Sequence, residues 1–143
     1  MRAMFSACSG LADLDLTPID TSKVINMRFM FDGCSGLTSL NLTNLDTKNV
    51  TNMDCMFRGC SGLTALDLSH LDTRNVTSMT SMFYDCSGLT TLDLSSLNTQ
   101  KVMDMGYMFS GCTRACLKNK NCTKRMFYFP FHDKIKKKGC SLC

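Results

Sequence analysis

Met30-Phe31-Asp32-Gly33-Cys34-Ser35-Gly36-Leu37-Thr38-Ser39-Leu40-Asn41-Leu42-Thr43-Asn44-Leu45-Asp46-Thr47-Lys48-Asn49-Val50-Thr51-Asn52-Met53-Asp54-Cys55 is one turn of a pattern that recurs along the chain. Phe5, Phe31, Phe57, Phe83 and Phe109 stand 26 residues apart, and Cys8, Cys34, Cys60, Cys86 and Cys112 keep the same step. Four full units occupy 4–29, 30–55, 56–81 and 82–107, and a partial fifth begins at Met108 and loses the pattern after Cys112. No insertion or deletion interrupts the register. A strict period of this length signals an array, in which each unit buries its apolar side against its neighbours instead of around one centre.

Within the unit, Leu37, Leu40 and Leu42 have the L-x-x-L-x-L spacing of a leucine-rich-repeat strand. By the two-residue strand period, Leu40 and Leu42 point inward while Ser39, Asn41 and Thr43 face outward. Asp46-Thr47 reads as a cap for a following helix, because both side chains accept backbone N–H bonds. Val50, Met53, Met56 and Phe57 fall at offsets 0, 3, 6 and 7, one face of a short helix. Gly59, Ser61 and Gly62 then supply the turn into the next strand, with positive φ expected at the glycines. The predicted fold is an α/β solenoid: a leucine-rich-repeat-like right-handed coil of strand plus short helix, with a parallel sheet on one face. Residues 1–113 form it, and 114–143 are a separate basic, cysteine-containing tail, either a cap or disordered.

Charge divides the chain at the same place. Residues 1–113 carry seven basic residues against eleven Asp, and 114–143 carry nine basic residues against Asp133 alone. The net +4 therefore belongs to the tail, and nucleic-acid binding by the repeats is not expected. No apolar run approaches membrane-spanning length. Met1-Arg2-Ala3-Met4-Phe5 lacks a secretory pattern and instead matches Met27-Arg28-Phe29-Met30-Phe31, so the chain starts in mid-repeat.

The Met-Phe-x-x-Cys-Ser-Gly-Leu blocks at 30–37, 56–63 and 82–89, with Asp-Thr-x-x-Val-x-x-Met at 46–53 and 72–79, resemble the BspA-like leucine-rich-repeat surface proteins. The first unit departs from the pattern at Pro18, and the fourth has Asn98 for Asp and Met103 for Thr. The resemblance covers residues 1–113. It implies a cell-surface or secreted location and a non-enzymatic role in adhesion or protein binding.

Candidate sites are few. The exposed strand column presents Asp15, Ser39, Asn41, Asp67 and Asp93 as ligand-binding candidates. A partner there is a protein or other cell-surface ligand, bound weakly per module. The Cys column is expected to hold reduced, buried thiols that act as small apolar residues, with partial disulfides as the alternative; a hydroxyl in place of the Cys60 thiol is expected to lack a partner, so that Cys60→Ser destabilises more than Cys60→Ala. No cofactor or metal is expected, since Cys116, Cys122, His132, Cys140 and Cys143 do not follow a usual zinc spacing. His70 and His132 sit in no nucleophile or metal motif, and no phosphate-binding loop is present, so catalysis is not expected. Cys140-Ser141-Leu142-Cys143 after Lys134, Lys136, Lys137 and Lys138 has the form of a prenylation box beside a polybasic stretch. Membrane association would follow only from lipidation at Cys140. Two alternatives to a surface interaction module stay open: a truncated array with no binding role of its own, and a prenylated peripheral membrane protein of a eukaryote.

Overall fold

In the computed structural model, which describes residues 1–118, each 26-residue unit forms one coil laid against the next. The coils are joined along the Met-Phe segment. Met27, Phe29, Phe31 and Gly33 donate their N–H groups to the carbonyls of Asn52, Asp54, Met56 and Arg58, at 2.7–3.0 Å. Met53, Cys55, Phe57 and Gly59 repeat the arrangement onto Ser78, Thr80, Met82 and Tyr84. Isolated parallel bridges Asn26–Asn52, Asn52–Ser78 and Ser78–Asp104 continue the same seam.

This seam replaces the short helix expected over Val50–Phe57, and among the described residues no helix forms. The residues predicted to face the core do so: Val50, Met53, Met56 and Phe57 are fully buried. Their backbone, however, is a run of turns with two left-handed residues in each coil. Ala3, Phe29, Cys55, Ser81 and Tyr107 occupy one such position, and Ala7, Gly33, Gly59, Asp85 and Gly111 the other. A left-handed residue every fourth position breaks an α-helix, which needs an unbroken right-handed run. It also turns alternate N–H groups outward, where the next coil's carbonyls satisfy them.

The L-x-x-L-x-L face is less regular than the seam. Among the described residues, strand pairing on this face is found only between β1 (Thr91–Asp93) and β2 (Cys116–Lys118), which run parallel with Leu92 opposite Leu117. Elsewhere on this face the coils meet through isolated contacts, Thr38 N–H to the Ala12 carbonyl, and the Thr90 N–H and hydroxyl to the Thr64 carbonyl. The inward and outward alternation still holds, with Leu40 and Leu42 buried and Ser39, Asn41 and Thr43 exposed. The sequence pattern ends at Cys112, yet the backbone carries on. Ala115 and Leu117 are buried, and one residue fewer separates them than separates Leu89 from Leu92, so L-x-x-L has become Ala115-Cys116-Leu117.

Inside, identical residues stack in columns. The five Phe rings lie nearly parallel, with centroids 5.5–5.8 Å apart and interplanar angles of 3–9°. Such separations suit offset stacking, which adds roughly 0.5–1.5 kcal/mol per pair beyond area burial. Phe5, Cys8, Leu11, Leu14, Ile19 and Val24 are only partly buried, because the first coil has a neighbour on one side.

The glycine of Cys-Ser-Gly-Leu is needed for space, not for an unusual φ. Gly59 has the expected positive φ of 70°, but Gly62 does not. A Cβ on Gly62 would stand 2.5 Å from the Ser35 carbonyl oxygen and 2.6 Å from that of Leu37. The previous coil's backbone therefore occupies the place a side chain would take.

Asp46-Thr47 caps no helix; the two side chains do separate work. Asp20, Asp46, Asp72 and Asn98 each accept the N–H two residues on, closing a local turn. The buried Thr21, Thr47 and Thr73 hydroxyls reach the next coil. Thr47 Oγ1 donates to the Asp72 carbonyl at 3.1 Å and accepts the Asp72 N–H at 2.8 Å, and Thr21 and Thr73 do the same at Asp46 and Asn98. Thr47→Val keeps the shape and removes both bonds. It should lower stability by about 2 kcal/mol, since two backbone groups lose their partner, whereas the exposed Thr43→Val should change it by less than about 0.5 kcal/mol. Urea unfolding of both variants checks this, and equal midpoints would show that the Thr47 bonds add nothing.

Candidate interaction surface

Asp15, Ser39, Asn41, Asp67 and Asp93 all lie exposed on successive coils, on the same face. The acidic and amide members also serve the fold. Asp15 accepts the Thr17 N–H and hydroxyl, at 2.8 and 2.9 Å. Asn41 accepts both from Thr43, Asp67 accepts the Ser69 N–H, and Asp93 accepts the Ser95 N–H. The Thr17 N–H holds the Asp15 carboxyl below its ordinary value, and the Ser69 N–H does the same for Asp67. Each side chain thus spends part of its hydrogen-bonding capacity on its own turn. The residues of this column, with Thr17, Thr43, Ser69 and Ser95 beside them, include neither Phe, Tyr, Trp nor Arg.

The thiol column differs from expectation in one respect. Cys34, Cys60, Cys86 and Cys112 are buried and free, but they have a polar partner. Each Sγ donates to the carbonyl of the Phe 29 residues earlier, at 2.9–3.1 Å. The premise that a hydroxyl would find no partner there is therefore corrected: Phe31 O stands ready for a donor at position 60. Burial pushes the Cys60 thiol up to about 12 and raises Cys34 as well, which keeps these thiols protonated and inert. Cys55 is also free and buried.

A second group of side chains was not singled out in the sequence. Arg2, Arg28 and Arg58 surround the Phe29 ring, their guanidinium carbons 6.0, 4.6 and 5.7 Å from its centroid. Arg58 also makes a two-pronged ion pair with Asp32, at 2.7 and 2.9 Å. The period held the clue, since Arg2 and Arg28 are one repeat apart, and so are Asp32 and Arg58.

Asn49 and Asn75, which begin Asn-x-Thr triplets, donate to carbonyls of Ser22 and Lys48 in the preceding coil, and Thr51 and Thr77 donate to Ile25 and Thr51. Among the described residues, no group of three or more His, Cys, Asp or Glu is placed to hold a metal ion, and no helix is long and apolar enough to cross a membrane. His132, Cys140 with its prenylation-like context, and the proposed cap lie outside the described residues.

Stacked coils with repeated polar columns outside and apolar columns inside define a repeat protein. The chain belongs to the family described as Mycoplasma protein of unknown function, DUF285, whose model matches residues 1–123. No curated protein and no solved structure matches it.

Proposed function

We propose that this chain is a non-enzymatic protein-interaction module of the leucine-rich-repeat solenoid type, related to the BspA-like surface proteins and used at a cell surface for adhesion. The observation that carries the reading is the exposed column Asp15, Asn41, Asp67 and Asp93, flanked by Ser39, which repeats the same polar chemistry on four adjacent coils. A polar column repeated at a fixed step suits recognition of an extended partner that offers matching groups at the same step. The column spans ~20 Å across four coils and ~10 Å along them. That footprint of ~200 Å² is far below the ~800 Å² per partner of a standard stable interface, so one module binds weakly. Tight adhesion comes from many copies on one surface or from more repeats.

Beads coated with the chain should adhere to a host-cell or matrix-protein surface, while the free monomer competes poorly. Asp67→Lys with Asp93→Lys should cut bead adhesion by roughly tenfold, with adhesion of the parent falling as salt rises. Adhesion that survives the double change would remove the strand face as the site. Beads that bind no surface would favour the alternative of an array without an independent binding role.

A further inference from the structure

We propose that Arg2, Arg28 and Phe29, walled by Arg58, form a second binding site, one that takes a carboxylate of an acidic peptide. Three guanidinium groups lie within 6.0 Å of the centre of one ring. Ring-face attraction accounts for part of this gathering, but it does not neutralise the charge. Of the acids nearby, Asp32 is committed to Arg58 through both oxygens. Asp54, one repeat on from Arg28, is committed to Asn52, Ser78 and the Thr80 N–H. Arg2 and Arg28 consequently make no ion pair among the described residues. The Arg28 Nε–H is buried and has no hydrogen-bond acceptor among the described residues, and a buried donor left unpaired is costly. A carboxylate placed between Arg2 and Arg28 would supply the missing negative charge, accepting from the terminal Nη–H groups of the two guanidiniums.

The chemistry favours a short acidic peptide over a long sulfated polymer. The cationic cluster covers only the first three coils at one edge. Apart from these three arginines, residues 1–113 hold four basic residues against eleven Asp, and would repel a uniformly charged chain that ran on past the cluster. Phe29, partly exposed, offers an apolar surface on which the methylene groups of a glutamate side chain can rest. The site lies on the Met-Phe segment and not in the Asp15–Asp93 column, so it stands or falls separately from the adhesion reading.

The test is a titration of the full chain with hexaglutamate, followed by the Nε–H resonances of its arginines in a two-dimensional NMR spectrum. Binding to the basic tail moves the Arg114 and Arg125 signals and is thereby distinguished. The Arg2, Arg28 and Arg58 signals should shift saturably together. Arg28→Gln should weaken that response at least tenfold, and Arg28→Lys, which keeps the charge but loses the planar fork, should weaken it several-fold. Arg74→Gln should leave it unchanged. Should only the tail signals move, or should Arg28→Gln respond as the parent does, the site is refuted. A heparin-derived hexasaccharide that moves the same three signals at lower concentration would overturn the assignment to a peptide.

Discussion

Gly62→Ala should lower the stability of the array by more than about 3 kcal/mol, while the same change at Gly10 should alter it by less than about 0.5 kcal/mol. Both glycines belong to Cys-Ser-Gly-Leu, so local sequence and helix or strand propensity are the same. What differs is the neighbour. The added methyl carbon at Gly62 would fall 2.5 and 2.6 Å from two backbone oxygens of the coil before, closer than real Cβ atoms approach, whereas at Gly10 nothing lies within 4 Å. Backbone atoms held by their own coil cannot step aside as a flexible side chain would, so the coils must part. Urea unfolding of the two single variants measures the difference. Equal losses would mean that the glycine serves its own turn and not the stacking.

Between pH 9 and 12 the array should lose stability because of its buried thiols. The Cys60 thiol has an ordinary value of 9.0 and is pushed up to about 12 by burial. Above pH 9 the unfolded chain can release this proton and the folded chain cannot, so ionisation favours unfolding. The contribution of Cys60 is fully present below pH 9 and is lost progressively as the pH climbs to about 12. The slope is about 1.4 kcal/mol per pH unit and the whole loss about 4 kcal/mol. The informative quantity is a difference between two proteins. Cys60→Ala should be less stable than the parent at pH 8, yet its stability should fall less steeply from pH 9 to 11. Parallel curves for the two proteins would show that Cys60 ionises equally in both states. Cys34 is raised by burial too and should behave in the same sense.

The columns were readable because the period is exact in number and each apolar type returns to its own slot. Phe57, Met53, Leu63 and Cys60 are as buried as their spacing predicted. The local backbone was not readable in the same way. Offsets of 0, 3, 6 and 7 at Val50, Met53, Met56 and Phe57 fit a helix, yet they also fit a turn-rich coil that returns the same side chains inward. Nothing in Cys55 or Phe29 announces a left-handed residue, since neither is glycine; only the coil-to-coil hydrogen bonds reveal why φ is positive there. Gly59 and Gly62 look alike in sequence and have different reasons to exist. The Arg2, Arg28 and Arg58 cluster escaped notice because charged residues at variable positions look solvated until adjacent coils bring them to one ring.

The sequence by itself determined that the chain is an array, where each unit begins, and which side chains share a column, because these depend only on period and on apolar or polar character. Tertiary structure decided which segment carries the inter-coil hydrogen bonds, where backbone replaces side chain at Gly62, and which partner each threonine, thiol and arginine meets. Those are contacts between residues about 26 positions apart, and their geometry is set by the spacing of neighbouring coils. Local sequence has no term for that spacing: the outward N–H of Phe57 finds its acceptor at Met82 only once the next coil is in place.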